Sequence, residues 1–195
     1  MKAKVRPVSE EAIAEAAGLV KDRGLVVYPT DTVYGLGCDP LDEAAVARLF
    51  EAKGRSSRPI PIICSGLAAA RRLGAIEGKA AALAQRHWPG ALTIVVPAVV
   101  ALPRPVDQGS GEIGVRVPAS EAARSLAAAC GGWLAGTSAN ISGEESCRSA
   151  PEAASFLGDR VDLILDGGRL PGRESTVVRA VGGAVEVLRQ GAVSL

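Results

Sequence analysis

The apolar run Leu25-Val26-Val27 opens directly into Tyr28-Pro29-Thr30-Asp31-Thr32-Val33-Tyr34-Gly35-Leu36-Gly37, and this junction constrains the fold more than any other stretch. A short strand-forming run ends where two hydroxyls, a carboxylate and two glycines arrive together. Open α/β sheets place ligands there, outside the carboxyl ends of their strands. The plainer alternative is a strand-end loop whose Asp and Thr satisfy their own backbone. The junction alone leaves the two readings level.

The flanking sequence supplies helices and further strands. Ser9 is placed to cap a helix with Glu10 and Glu11 in its first turn; Ile13, Ala16, Ala17 and Val20 recur at helical spacing, and Gly24 is expected to close it. Asp42 is expected to cap a second helix bearing Val46, Leu49, Phe50 and Lys53. Its end runs into the cationic segment Lys53-Gly54-Arg55-Ser56-Ser57-Arg58-Pro59. Residues 60–64 read as a short buried strand that Pro61 pushes toward a sheet edge. Alanine-rich helical stretches begin at Ser65 and at about residue 79, and Trp88-Pro89-Gly90 stops the second before a strand at 92–96. Residues 97–111 read as a loop, 113–117 as a strand, and Ser120 as the cap of a helix running to about Cys130. A short strand at 133–136 breaks into Thr137-Ser138-Ala139-Asn140-Ile141-Ser142-Gly143. Pro151 opens a helix through Leu157, 161–165 is a strand, and 167–174 a loop. Strands at 175–181 and 184–189 flank Gly182-Gly183, a two-residue hairpin signal. Strands and helices intermix without strict βαβ alternation. The expected class is therefore α/β (α+β), a single domain with a twisted mixed parallel/antiparallel sheet and flanking helices.

Composition narrows the function classes. At 195 residues the chain can bury a substantial core, and 48% hydrophobic with 22% charged residues is ordinary globular usage. A net charge of +1 removes steering by overall charge, so the arginines have to be followed one by one. Four cysteines without C-x-x-C spacing and a single His argue against a zinc site and read as reduced thiols. The first residues lack the apolar core of a signal peptide, and no apolar run approaches a membrane span. A soluble cytoplasmic protein with no membrane partner is expected.

No G-x-x-x-x-G-K-[ST] loop is present, and Gly35-Leu36-Gly37 is only a fragment of a dinucleotide fingerprint. Phosphates would have to be neutralised by cations directly. The candidates are Lys53, Arg55 and Arg58, supported by Arg116 and Arg189, against the alternative of a solvated basic helix end. Arg116 interrupts an apolar strand between Val115 and Val117. Burying its charge requires a partner, either a protein carboxylate or an anionic ligand. The 137–143 segment and Ser175-Thr176 offer small hydrogen-bonding groups that suit phosphate or ribose oxygens, or a cap or turn. His87 has no nucleophile in register and reads as structural. A site rich in Thr, Ser, Asn, Lys and Arg, with few acids or bases, suits positioning and charge stabilisation at phosphorus.

Seven segments in order resemble the YrdC-like family, the threonylcarbamoyl-AMP synthases of tRNA modification. They are the 28–37 stretch, Lys53-Gly54-Arg55, Trp88-Pro89-Gly90-Ala91-Leu92-Thr93, Gly114-Val115-Arg116-Val117-Pro118, Ser138-Ala139-Asn140-Ile141-Ser142-Gly143, Glu174-Ser175-Thr176-Val177-Val178 and Leu188-Arg189-Gln190-Gly191. The resemblance spans residues 9–191 and implies one YrdC-like (DHBP-synthase-like) domain over 1–195, of the short single-domain type, around a large positively charged cavity. It implies a nucleotidyltransferase joining L-threonine, bicarbonate and ATP into threonylcarbamoyl-AMP and pyrophosphate. Thr32, Arg116 and Ser175 would hold threonine, with Arg116 on its carboxylate. Arg55, Arg58, Ser138, Asn140, Ser146 and Arg189 would contact ATP, with Lys53 and Arg55 as the catalytic cations. Mg²⁺ would travel with ATP and no metal would be bound by the protein itself. Implied partners beyond the substrates are tRNA or double-stranded RNA and the downstream tRNA threonylcarbamoyltransferase proteins, with the chain a monomer or homodimer. The resemblance departs in Ser56-Ser57-Arg58-Pro59-Ile60-Pro61, one residue short of the family pattern, and in Ile63 and Cys64, where many members place a His near threonine. Two rivals follow: a module holding RNA or a nucleotide without turnover, and a paralogue making a different carbamoyl-adenylate.

Overall fold

The computed structural model describes residues 3–54, 58–141 and 143–195. Along the chain the elements are β1 (Lys4–Pro7), α1 (Glu10–Lys21), β2 (Val26–Pro29), β3 (Tyr34–Gly37), α2 (Glu43–Ala52), β4 (Ile62–Cys64), α3 (Leu67–Arg71), α4 (Gly78–His87) and β5 (Leu92–Pro97). They continue as α5 (Arg104–Asp107), β6 (Glu112–Arg116), α6 (Glu121–Ala129), β7 (Trp133–Ala135), β8 (Thr137–Ser138), α7 (Ala150–Leu157), β9 (Leu163–Asp166), β10 (Thr176–Val181) and β11 (Ala184–Arg189). The mixed pairing expected from the sequence is divided between two sheets, ordered β1-β9-β2-β3-β8 and β11-β10-β5-β6-β4-β7. Each combines parallel and antiparallel neighbours: β2 runs parallel to β9 and antiparallel to β3, while β5 runs parallel to β10 and antiparallel to β6. Among the described residues no helix is long and apolar enough to cross a membrane.

Local chemistry accounts for most boundaries. The hydroxyl of Ser9 accepts from Ala12 N at 3.1 Å, the carboxylate of Asp42 from Ala45 N at 3.0 Å, and the hydroxyl of Ser120 from Ala123 N at 3.3 Å. Gly24 does close α1, although the left-handed residue is Arg23 (φ 64°). Gly24 is needed for space, because a Cβ there would lie 2.6 Å from Leu19 O. Gly182 and Gly183 take φ values of +61° and +77° and join β10 to β11 in the expected tight hairpin.

Four features depart from the sequence reading. β1 is exposed, has Val5 between two cations and ends in Pro7, so it carries no apolar run; it forms by parallel pairing with β9. Tyr34–Gly37 is a strand within the stretch read as a loop, and α5 lies within the 97–111 loop. Pro61 does not mark an edge: it precedes β4, which is paired on both sides by β6 and β7.

β2 and β4 are buried on both faces. Val27 faces the larger apolar cluster while Val26 and Tyr28 face a smaller one built with α1 and α6; Ile62 and Cys64 divide from Ile63 in the same way. That two-sided burial is why both strands read as uninterrupted apolar runs. Tyr28 is fully buried opposite Gly35, and its hydroxyl donates to Ala135 O at 3.0 Å. A Cβ on Gly35 would come within 2.8 Å of the Tyr28 ring; one on Gly37 would meet the ring at 2.8 Å and Ala135 O at 2.7 Å. The G-x-G fragment is thus a slot for an aromatic ring. Just beyond, the chain passes from β7 in one sheet to β8 in the other through Gly136, whose N–H donates to Pro61 O at 2.8 Å.

Gly37→Ala is accordingly expected to lower unfolding free energy by roughly 1–3 kcal/mol through overpacking. Gly18→Ala, on an exposed face of α1 with nothing within 4 Å of the added methyl, is expected to raise it by up to about 1 kcal/mol. Urea unfolding of the two variants beside the parent checks both signs.

Candidate active site

A cavity of about 680 Å³ is lined from both sheets. Its charged lining comprises Lys53, Arg58, Arg116, Arg179 and Arg189 against Glu112, Glu144 and Glu174. Of the residues singled out in the sequence, Thr32, Lys53, Arg58, Ser138, Asn140, Arg116, Ser175 and Arg189 line it. Ser146 connects to it through Glu174. Arg55 lies outside the described residues. Tyr28 and Tyr34 form part of the wall, and Tyr34 is pinned by donating to Gly168 O at 2.7 Å.

Arg116, the last residue of β6, is buried, and its partners come from separate segments. Nε donates to Gly90 O at 2.9 Å, Nη1 to Thr32 Oγ1 at 3.1 Å, and Nη2 to Asp31 Oδ1 at 2.6 Å. The sequence left two partners open for this cation; within the chain it is the carboxylate of Asp31. Burial pushes the guanidinium below its ordinary pKa, and the Asp31 charge opposes that shift. Thr30 shapes the loop that presents this group. Its Oγ1 accepts from the N–H groups of Thr32 and Val33 and donates to Val33 O at 2.6 Å. The two threonine hydroxyls lie 3.0 Å apart. Thr32 lines the cavity, its Oγ1 accepting from Arg116.

Lys53 ends α2 and is buried, with Nζ donating to the carbonyl oxygens of Ser138 and of Asn140, the latter at 2.8 Å, and to Asn140 Oδ1 at 3.3 Å. Ser138 Oγ donates to the same Oδ1 at 2.5 Å, and Asn140 Nδ2 donates to Glu144 O at 2.6 Å. One ammonium thus fixes the loop after β8. Arg58 is exposed at the cavity's edge and has no hydrogen-bond partner among the described residues.

On the opposite wall Ser175 Oγ lies 3.0 Å from Thr93 Oγ1, and Arg189 Nη2 donates to Ser175 O at 2.9 Å and to its Oγ at 3.2 Å. The carboxylate of Glu174 accepts from Arg189 and, at 2.5 Å, from Ser146 Oγ. Arg179 and Glu112 face each other across β5 in a two-point pair, Nε to Oε2 at 2.7 Å and Nη2 to Oε1 at 2.5 Å. Hydrogen bonds from Arg179 hold the Glu112 carboxyl below the usual carboxylate range. Asp31, Thr93, Glu112, Glu174 and Arg179 were given no role in the sequence reading. Glu112 and Arg179 are far apart in the chain and meet only through the β10-β5-β6 order, so no local pattern announces them. Asp31 and Thr93 did lie inside quoted motifs, where burial of a partner is the missing signal. Among the described residues no group of three or more His, Cys, Asp or Glu is placed to hold a metal ion.

The Sua5/YciO/YrdC family model, described as Telomere recombination, matches residues 19–191. A protein of Pyrococcus abyssi called threonylcarbamoyl-AMP synthase is 40% identical over 191 residues, covering 96% of this chain and 56% of that protein. One of the same designation from Halorhodospira halophila is 41% identical over 164 residues, covering 83% of this chain and 85% of its own length. The crystal structure of P. abyssi Sua5 complexed with L-threonine superposes with a TM-score of 0.90 at 38% identity, over 97% of this chain and 57% of that one. The chain thus spans little more than half of the Pyrococcus protein and most of the Halorhodospira one. On the matched model, the shared sequence and the common fold, the chain belongs to the Sua5/YciO/YrdC family.

Proposed function

We propose that this chain is a threonylcarbamoyl-AMP synthase, a nucleotidyltransferase using L-threonine, bicarbonate and ATP. The observation that carries the proposal is that one cavity collects Thr32, Arg116 and Ser175 together with Lys53, Arg58, Ser138, Asn140 and Arg189. Its volume falls within the roughly 300–1,000 Å³ usual for small-molecule sites. The designations of the Pyrococcus and Halorhodospira relatives, and the threonine complex of the Pyrococcus structure, support the same substrate.

In this reading Arg116 takes the threonine carboxylate, while the hydroxyls of Thr32 and Ser175 orient its other polar groups. The α-amine adds to bicarbonate with loss of water, giving a carbamate. A carbamate oxygen then attacks the α-phosphorus of ATP and pyrophosphate leaves. Arg55, Arg58, Ser138, Asn140, Ser146 and Arg189 are assigned to ATP. Lys53 and Arg55 are the cations assigned to the growing charge, Lys53 partly through the loop that it holds. Glu112 and Glu174 are engaged by arginines, so Mg²⁺ is assigned to the nucleotide rather than to a protein cage. We take residues 1–195 as one domain, its core at about 9–191, acting in the cytoplasm, its labile product passing to a transferase that modifies tRNA.

Pyrophosphate release by the purified protein tests the reaction. Release from ATP is expected only when L-threonine and bicarbonate are both present; release independent of them, or none with ATP bound, contradicts the proposal. Arg116→Ala is expected to weaken threonine binding at least about tenfold while ATP binding changes little. Calorimetric titration with each ligand checks the asymmetry, and equal losses would show that Arg116 does not hold the amino acid.

A further inference from the structure

The proposed carboxylate site contains a carboxylate of its own. Arg116 carries five N–H donors, and among the described residues three have acceptors: Gly90 O, Thr32 Oγ1 and Asp31 Oδ1. One N–H remains on each terminal nitrogen, and the guanidinium lines the cavity. Asp31 is not among the lining residues; its carboxylate holds the arginine at 2.6 Å. A ligand carboxylate therefore meets an arginine that is already aimed and already neutralised.

We propose that Asp31 is a positioning residue with two opposed effects on carboxylate binding. Its hydrogen bond aims the Arg116 fork, and its negative charge holds down the affinity of that fork for a second carboxylate. The inference rests on the proposed threonine end of the site and adds the residue that sets its strength. The physical basis is the cost of a buried guanidinium without a counter-charge. In the ligand-free protein Asp31 meets that cost and keeps the fork in place. On binding, the incoming carboxylate gains less than it would from a bare cation, and the two carboxylates repel across a site of low dielectric. Affinity is thereby lower than the geometry alone would give, while the free site stays organised.

The two effects separate by substitution. Asp31→Asn keeps an oxygen for Nη2 and removes the charge, so carboxylates are expected to bind about tenfold more tightly than in the parent. Asp31→Ala removes the charge and the aim together and is expected to bind several-fold more weakly than Asp31→Asn. The experiment is calorimetric titration of each protein with L-threonine, L-alanine and L-lactate, and separately with ATP. In the ligand-free state Asp31→Asn is expected to melt below the parent, with a larger upward shift when threonine is added. ATP affinity is expected to stay within about twofold, which a general loosening of the fold would not produce. Should Asp31→Asn fail to fold by circular dichroism, Asp31→Ser, also an uncharged acceptor, takes its place. Binding by the uncharged acceptor variant no tighter than the parent overturns the charge effect, and equal binding by Asp31→Ala overturns the aiming effect. Binding of lactate or alanine but not threonine, with the predicted order of variants, would remove the threonine assignment and leave the role of Asp31 standing. Failure of the parent to bind any carboxylate removes both.

Discussion

A buried guanidinium at the end of a strand needs acceptors from the chain itself, and Arg116 finds three of them in two separate segments. Gly90 O comes from the turn before β5, and Thr32 and Asp31 come from the loop between β2 and β3. Gly90 is itself tied to the end of β6 by its N–H on Val117 O at 2.8 Å. The 30–33 loop belongs to one sheet and β6 to the other, so the contacts of Arg116 close the cavity across the gap between them. Loss of Gly90 O or Thr32 Oγ1 as acceptor would strand a donor at a cost of about 1–3 kcal/mol, and loss of the Asp31 carboxylate would strand a charge at about 3–5 kcal/mol.

The same device recurs around the chamber. Arg179 holds Glu112, Arg189 holds Glu174, and Lys53 holds carbonyl oxygens of the 138–140 loop. Of the cations assigned to phosphates, Lys53 and Arg189 are already engaged with the chain's own oxygens, whereas Arg58 stands at the cavity's edge without such a partner among the described residues. At Lys53 and Arg189 the entry of an anionic ligand is then an exchange of acceptors. Exchange costs less specificity than it first suggests, because the side chains are held in place beforehand.

How much of this was legible follows from where each signal resides. Helix caps at Ser9, Asp42 and Ser120 and the Gly182-Gly183 hairpin are local chemistry and were readable from short windows. So was the need of Arg116 for a counter-charge, since a charge between two valines in a strand is a local contradiction. The identity of its partner was not readable, because Asp31 and Arg116 are separated by 85 residues and meet only once the sheets are assembled. β1 was invisible for the opposite reason: Lys4-Val5-Arg6-Pro7 is exposed and carries no apolar run, and its partner β9 supplies the pairing. The pair of glycines after Tyr34 is too short a fragment to point to a companion by itself. They accommodate the Tyr28 ring on the neighbouring strand, a relation that depends on register.

The passage through Gly136 bears on how such a chain can diverge. Loops elsewhere can lengthen with little effect, since closure entropy grows slowly with length. Here one residue separates a strand of one sheet from a strand of the other, wedged against Ile63 and the Tyr28 hydroxyl. An inserted residue would reverse the inward and outward faces of Thr137 and Ser138, because side chains alternate with period two. Evolution is therefore free to change the rim of this site by insertion, but at its seam it can work only by substitution.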